Sequence, residues 1–243
     1  FNLNEFNFFL LVMSTMFIAA GGNVINDYFD RKADRINKPG SVVVGTKVDR
    51  RFAIILHSVL NLIGVGLGTY VSLAVGHWKY SFIFLAVTIL LWFYSTTFKR
   101  KFLIGNFVIA FITSMVPFMV FLFEYPGFYF LADFQTEQTQ IMFLMLEIIL
   151  GFSFFAFITS MIREIVKDIE DVRGDIRLGC KSLPIKWGVK TAAVFAFALI
   201  ILTILSVIGI YYFYLKDFTV LTEGKPFIID PSYTLWYVIG LVL

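Results

Sequence analysis

Long uncharged apolar stretches recur along this chain at about residues 7–25, 52–75, 80–98, 102–123, 139–162 and 191–214, and a seventh begins near 233. A membrane-spanning helix needs about 20 mostly apolar residues, so each complete stretch can cross a bilayer. Runs such as Phe82–Thr97 and Ala192–Tyr214 do not alternate apolar with polar positions, which argues against the short alternating strands of a closed β-barrel. The pattern predicts an all-α, polytopic transmembrane helical bundle of about seven helices. Charged residues are 15% of the 243, against about a quarter in soluble domains, and no stretch remains for a separate soluble domain. The lone Cys180 excludes an intrachain disulfide framework. The net charge of +3 gives no reason to expect a nucleic-acid partner. Residue 1 is Phe, and the last apolar run stops at Leu243 after starting near Tyr233, so the sequence is expected to be a piece of a longer chain.

The basic residues are unevenly placed. Seven lie between Arg31 and Arg51, three at Lys99–Lys101 and seven between Arg163 and Lys190. The intervening connections hold Lys79, none from Glu124 to Gln138, and two from Lys216 onward. Alternate connections fall on alternate sides of a bundle, so one face carries 17 of the 20 basic residues, and the positive-inside rule makes that face cytoplasmic.

Two acidic motifs occupy span ends on the loaded face. In the first, Asn26, Asp30 and Asp34 are four residues apart and form one stripe on a helix, with Asn23 and Asp27 beside them. In the second, Asp168, Asp171 and Asp175 repeat the D-x2-D-x3-D spacing of Asp27, Asp30 and Asp34. Clustered carboxylates at a span end repel and are costly to desolvate, so something cationic should compensate. Oxygen ligands without His or Cys suit Mg²⁺, which is held by a few carboxylates together with substrate phosphates and water. Asn26, Asp30, Asp34, Asp168, Asp171 and Asp175 are the expected metal ligands, and Arg31, Arg163, Lys167 and Lys181 can pair with phosphate oxygens or surplus carboxylates. Asp30, Asp34, Asp171 and Asp175 are the expected catalytic set, stabilising a departing diphosphate where negative charge develops. A few of the 30 phenylalanines are expected to line an isoprenoid chamber and most to face lipid or neighbouring helices, while His57 and His77 are isolated and give no metal pattern. The same carboxylates could serve a cation transporter or belong to a non-catalytic subunit of a membrane assembly. A transporter would need charge at mid-span, where Glu147 is the clear candidate.

With these motifs the chain resembles the UbiA superfamily of intramembrane prenyltransferases over nearly its whole length. Asn26-x3-Asp30-x3-Asp34 matches the first family motif, and Asp171-x3-Asp175, preceded by Asp168, matches the second. Asp34-Arg35-Ile36-Asn37-Lys38-Pro39, Arg163-Glu164-Ile165-Val166-Lys167-Asp168 and Lys181-Ser182-Leu183-Pro184-Ile185 are most similar to its geranylgeranylglycerol-phosphate geranylgeranyltransferase branch. The chain departs from that branch at Gly40-Ser41-Val42-Val43-Val44-Gly45, where the branch carries a second Arg-Pro and a Pro-Ser-Gly turn. The resemblance implies a single prenyltransferase domain over 1–243, part of a nine-helix bundle that lacks here its first helix and its C-terminal part. It implies a chamber open sideways to membrane lipid, an isoprenyl diphosphate donor, Mg²⁺, and a lipid-soluble acceptor that is a prenylglycerol phosphate or an aromatic compound. It also brings Lys99 to the diphosphate, with Asn23 and Asp27, and makes Tyr94 and Asn106 line the active site.

Overall fold

Helix α1, Glu5–Asn37, begins where the Asn4 side-chain carbonyl accepts the Asn7 backbone N–H at 2.8 Å, and Glu5 adds a negative charge to the first turn. Both features satisfy the positive N-terminal end of a helix. The helix stops before Pro39, which cannot continue it. The computed structural model describes residues 3–125, 137–215, 219–222 and 225–228. After α1 come α2 (Arg50–Ala74), α3 (Ser81–Thr96), α4 (Ile104–Glu124), α5 (Glu137–Glu170), the short α6 (Val172–Arg177) and α7 (Leu183–Trp187), and α8 (Val189–Ile210). A two-stranded antiparallel hairpin, β1 (Thr219–Thr222) and β2 (Lys225–Ile228), adds the only β-pairing between named strands among the described residues. Six helices, those that include α1 to α5 and α8, are long and apolar enough to cross a membrane, as six of the seven expected spans require. The protein is an integral membrane protein. The seventh stretch, from 233, lies outside the described residues. The chain divides into two units, Phe1–Ala193 and Val194–Leu243, and all the expected site residues belong to the first.

Within the first unit α1 packs along α2, and α4 along α5. Polar anchors hold the first pair. Ser14 Oγ donates to Gly64 O at 2.7 Å, and His57 Nδ1 lies 2.8 Å from Gly21 O. Such bonds are useful between membrane helices, where lipid supplies no hydrophobic drive for association. Leu11, Ile18, Val71, Phe84, Met119 and Phe123 form a buried cluster joining α1, α2, α3 and α4. At one end of the unit the Leu3 N–H donates to Glu124 Oε2 at 3.1 Å, and the Tyr80 and Phe123 rings meet at 5.2 Å. At the other end α1, the α3–α4 connection and the chain after α5 converge, since Lys99 pairs with Asp30 and the Lys181 N–H donates to Arg100 O at 2.9 Å. The connections that carry most of the basic residues therefore meet at one end.

Two local devices shape that end. Between α3 and α4 the chain reverses through Leu103, whose φ of 55° is the only positive value at a non-glycine residue among the described residues. A left-handed leucine is strained, and the surrounding fold must hold it. The reversal presses Gly105 against the preceding turn so closely that a Cβ there would lie 2.8 Å from Lys99 Cα. The second device is a clasp between α1 and α6. Asn37 Nδ2 donates to Asp171 O at 3.0 Å, while Asn37 Oδ1 accepts the Gly174 N–H at 2.7 Å. A Cβ at 174 would lie 2.6 Å from Asn37 Nδ2 and 2.9 Å from the Ala33 carbonyl.

Gly174→Ala should therefore lower the thermal unfolding midpoint of detergent-solubilised protein, with a cost of about 1–3 kcal/mol from overpacking against backbone. Gly151→Ala provides the contrast. A Cβ at 151 would meet nothing within 4 Å, and alanine improves a helix interior by up to about 1 kcal/mol. A Gly174→Ala protein that melts at or above the parent would show that α6 does not depend on this close approach.

Candidate active site

The first acidic motif lies on the last three turns of α1, beyond the apolar stretch that ends near Ile25, so one continuous helix carries both the span and the motif. The second lies at the end of α5 and in α6, separated by a break at Asp171. Through the Asn37 clasp, α6 sits against the last turn of α1, and this brings the two motifs together. Asp34 is within electrostatic reach of Asp30 and Asp171, and Asp175 of Asp171 and Asp30.

Lys99 stands at the centre of this group. Its ammonium pairs with Asp30, and Asp34 and Asp175 add to the attraction. Burial works against its charge, yet the carboxylates prevail and raise its pKa above the ordinary lysine value. Lys99 thus supplies the compensating cation that the clustered carboxylates demand. For Asp175, burial is the main influence and raises the pKa. Lys99 opposes that rise, and Asp171 and Asp30 add to it. Asp168 is fixed by Asn106, whose Nδ2 donates to Oδ2 at 2.9 Å. Lys38 pairs with Glu170 at 3.3 Å and lies 3.5 Å from Asp171 Oδ1. Cys180, buried nearby, has its thiol pushed up to about 11, by burial first and then by Asp175.

The remaining expected residues divide between this cluster and a cavity. A cavity of about 340 Å³ runs between α1, α3, α4 and α5. Asn23, Asn26, Tyr94, Arg163, Glu164 and Lys167 form its polar rim, and Ile18, Phe84, Leu91, Ile112, Val116 and Met119 are among the residues of its apolar wall. The six aspartates do not line it. They lie beyond the rim, Asp30 one turn on from Asn26 and Asp168 next to Lys167. Asp27 is near Asp30, Lys167 and Lys99. Two expected phosphate ligands point elsewhere. The Arg31 Nε donates to Tyr28 O at 2.9 Å and its guanidinium lies over the Tyr28 ring, while the Lys181 side chain is exposed.

The phenylalanines divide between the wall and the outer helix faces. Phe84 is the one phenylalanine among its described lining residues, and the other apolar positions there are mostly aliphatic. Phenylalanines such as Phe6, Phe9, Phe52, Phe82 and Phe107 are instead exposed on the outside of their helices, where a bilayer solvates them at no cost. Glu147 is likewise exposed on α5 and does not line the cavity.

Sequence reasoning passed over Glu164. Only 4% of its surface is exposed, its Oε2 accepts the Tyr94 hydroxyl at 3.0 Å and its Oε1 accepts Arg163 Nη1 at 3.0 Å. Its place one turn before Asp168, on the same helix face, was the available signal.

The donor set suits Mg²⁺. Asn26 Oδ1 is buried and carries no hydrogen bond, a state that costs free energy unless a cation or donor reaches it, whereas Asp171 Oδ1 has the Lys38 ammonium 3.5 Å away. Among the described residues no three His, Cys, Asp or Glu side chains converge closely enough to hold a metal by themselves.

Comparison with known proteins agrees with this arrangement. A model of the UbiA prenyltransferase family matches residues 2–223. The digeranylgeranylglyceryl phosphate synthase of Methanosphaera stadtmanae is 36% identical over 199 residues, which are 81% of this chain and 64% of that protein. The synthase of the same name from Methanothermobacter thermautotrophicus is 32% identical over 213 residues, 85% of this chain and 66% of that one. The chain thus spans just under two thirds of the length of these curated relatives. A solved structure, from work on the digeranylgeranylglyceryl phosphate synthase in membranes, superposes with a TM-score of 0.58 and 25% identity, covering 99% of this chain and 74% of its own. The chain belongs to the UbiA prenyltransferase family.

Proposed function

We propose that this protein transfers an isoprenyl group, most simply geranylgeranyl, from its diphosphate to the hydroxyl of a prenylglycerol phosphate. The observation that carries the reading is an apolar cavity whose polar rim adjoins two aspartate motifs gathered around Lys99. The tail and head of a prenyl diphosphate need those two environments side by side. The names of the relatives supply the acceptor and the chain length.

On this reading the prenyl tail occupies the aliphatic wall and the diphosphate lies at the rim, within reach of Asn23, Arg163 and Lys167. Asn26, Asp30, Asp34, Asp168, Asp171 and Asp175 are the residues that would hold Mg²⁺, which when bound offsets the charge of the leaving diphosphate. Lys99 contributes a fixed positive charge to the same place, and Asn106 keeps Asp168 oriented. Breaking the bond between carbon and diphosphate leaves an allylic carbocation against the apolar wall, where exclusion of water favours the acceptor over hydrolysis. Holding donor and acceptor in one cavity supplies the proximity. The basic asymmetry supports a cytoplasmic position for the aspartate end.

Asp30→Asn and Asp171→Asn should each reduce prenyl transfer by at least 10²-fold, the scale on which loss of one electrostatic stabiliser acts. Their effects on folding should differ. Asp171→Asn should leave stability near the parent, whereas Asp30→Asn removes the hydrogen-bonded partner of Lys99 and should cost about 1.5–3 kcal/mol. Glu170→Gln, at a residue whose ion pair is with the exposed Lys38, is the control and should retain activity. Mass spectrometry of lipid products formed from Mg²⁺, geranylgeranyl diphosphate and geranylgeranylglyceryl phosphate checks all three. Parent-like turnover by both aspartate variants would remove the metal and diphosphate role from these motifs.

Orientation has its own test. In a Cys180→Ser background, Lys47→Cys should react with an impermeant maleimide only when the cytoplasmic side is exposed, and Lys79→Cys only from the other side. Both positions are exposed. The opposite labelling pattern would invert the topology.

A further inference from the structure

Glu164 is the only carboxylate among the described residues that line the cavity, and neither aspartate motif contains it. It lies one helical turn before Asp168, on the membrane side of the cluster. A buried charge within a spanning segment is costly and marks a functional position. Each of its oxygens accepts one hydrogen bond, from Tyr94 and from Arg163 respectively. A carboxylate oxygen can accept two, so each retains a free position. The Tyr94 side chain, itself buried and lining the same cavity, fixes the carboxylate from the α3 side. Asp30, paired with Lys99, and Asp168, held by Asn106, do not line the cavity and so do not face a molecule within it.

An acceptor that attacks through a hydroxyl must lose its proton, and the residues so far assigned provide no group for it. We propose that Glu164 is the base that takes this proton, with Tyr94 as the positioning residue that holds it. The inference rests on the prenyl-transfer reading above. The bond from the allylic carbon to diphosphate breaks first, its electron pair leaving with the diphosphate, and a lone pair of the acceptor oxygen then forms the new bond to that carbon. The O–H electron pair returns to the acceptor oxygen, which becomes the ether oxygen, and the proton passes to a Glu164 oxygen. Glu164 later returns it to water at the polar rim. Nothing is oxidised or reduced.

The test separates ionisation of the donor from its capture. Glu164→Gln keeps the shape of the side chain and an acceptor for the Tyr94 hydroxyl but cannot accept a proton. Purified parent and variant would be given Mg²⁺ and geranylgeranyl diphosphate, with and without geranylgeranylglyceryl phosphate, and both ether lipid and released diphosphate measured. General-base removal is expected to lower ether formation by about 10²–10⁴-fold. Diphosphate release without acceptor should fall much less than ether formation does. An acceptor analogue bearing a thiol in place of the hydroxyl should restore transfer by the variant, because a thiol ionises near pH 8.5 without help. Glu164→Asp should fall between parent and Glu164→Gln, and it supplies the same comparison if Glu164→Gln does not fold. Parent-like ether formation in the folded variant would overturn the proposal, as would an equal loss of ether formation and diphosphate release. A parent that neither forms ether nor releases diphosphate would instead sink the prenyl-transfer reading, and this inference with it.

Discussion

One lysine makes the aspartate cluster possible. Carboxylates from α1 and from the end of α5 through α6 approach each other at a span end, where water is scarce and their repulsion is weakly screened. Lys99 lies among them, paired with Asp30 and attracted by Asp34 and Asp175. Much of the neighbouring architecture serves to place that ammonium. The left-handed Leu103 turns the chain back, Gly105 lets α4 start against Lys99, and the Asn37 clasp brings α6 from the other side. Removing one partner from such a group leaves uncompensated charge, which costs more than the pair itself contributes.

Fold and site were legible in the sequence to different depths. Apolar length alone located six spans, because a bilayer imposes a minimum length that chance rarely meets. The stripe of Asn26, Asp30 and Asp34 was legible from helical periodicity, since α1 continues unbroken through the motif. The second motif was legible as a spacing but not as a shape: its residues straddle a break at Asp171, so equal spacing does not mean equal geometry. Asn37 could not be singled out, because its role depends on a residue more than a hundred positions away. Arg31 was legible only as a charge, since its guanidinium finds a tyrosine ring and a carbonyl on its own helix. Glu164 was hidden by company. Between Arg163 and the charged run that follows, it reads as part of a solvated face, whereas in the fold it is buried and meets the Tyr94 hydroxyl of α3.

The cavity unites the two halves of this chemistry. Ile18, Phe84 and Met119 belong both to the buried cluster that joins four helices and to the cavity wall, so the closed end of the chamber is made of the fold's own packing. At the other end the lining changes to Asn23, Asn26, Arg163 and Lys167 within a few turns. This gradient orients an amphiphile by its two ends. Mostly aliphatic walls also suit a flexible branched tail, which fills irregular volume without the fixed geometry of aromatic stacking.

Helix α1 has 33 residues and so is about 50 Å long, whereas the hydrocarbon core of a bilayer is about 30 Å thick. The first aspartate motif therefore rides on a length of helix beyond what the oily layer requires, enough to reach the headgroup zone. For a prenyl transfer this sets the fate of the two products. On the proposed reading diphosphate would leave on the wet side and diffuse into bulk water, while the elongated lipid would stay in the hydrocarbon. The products part into different phases as they form, and the reverse reaction is starved of one of its reactants.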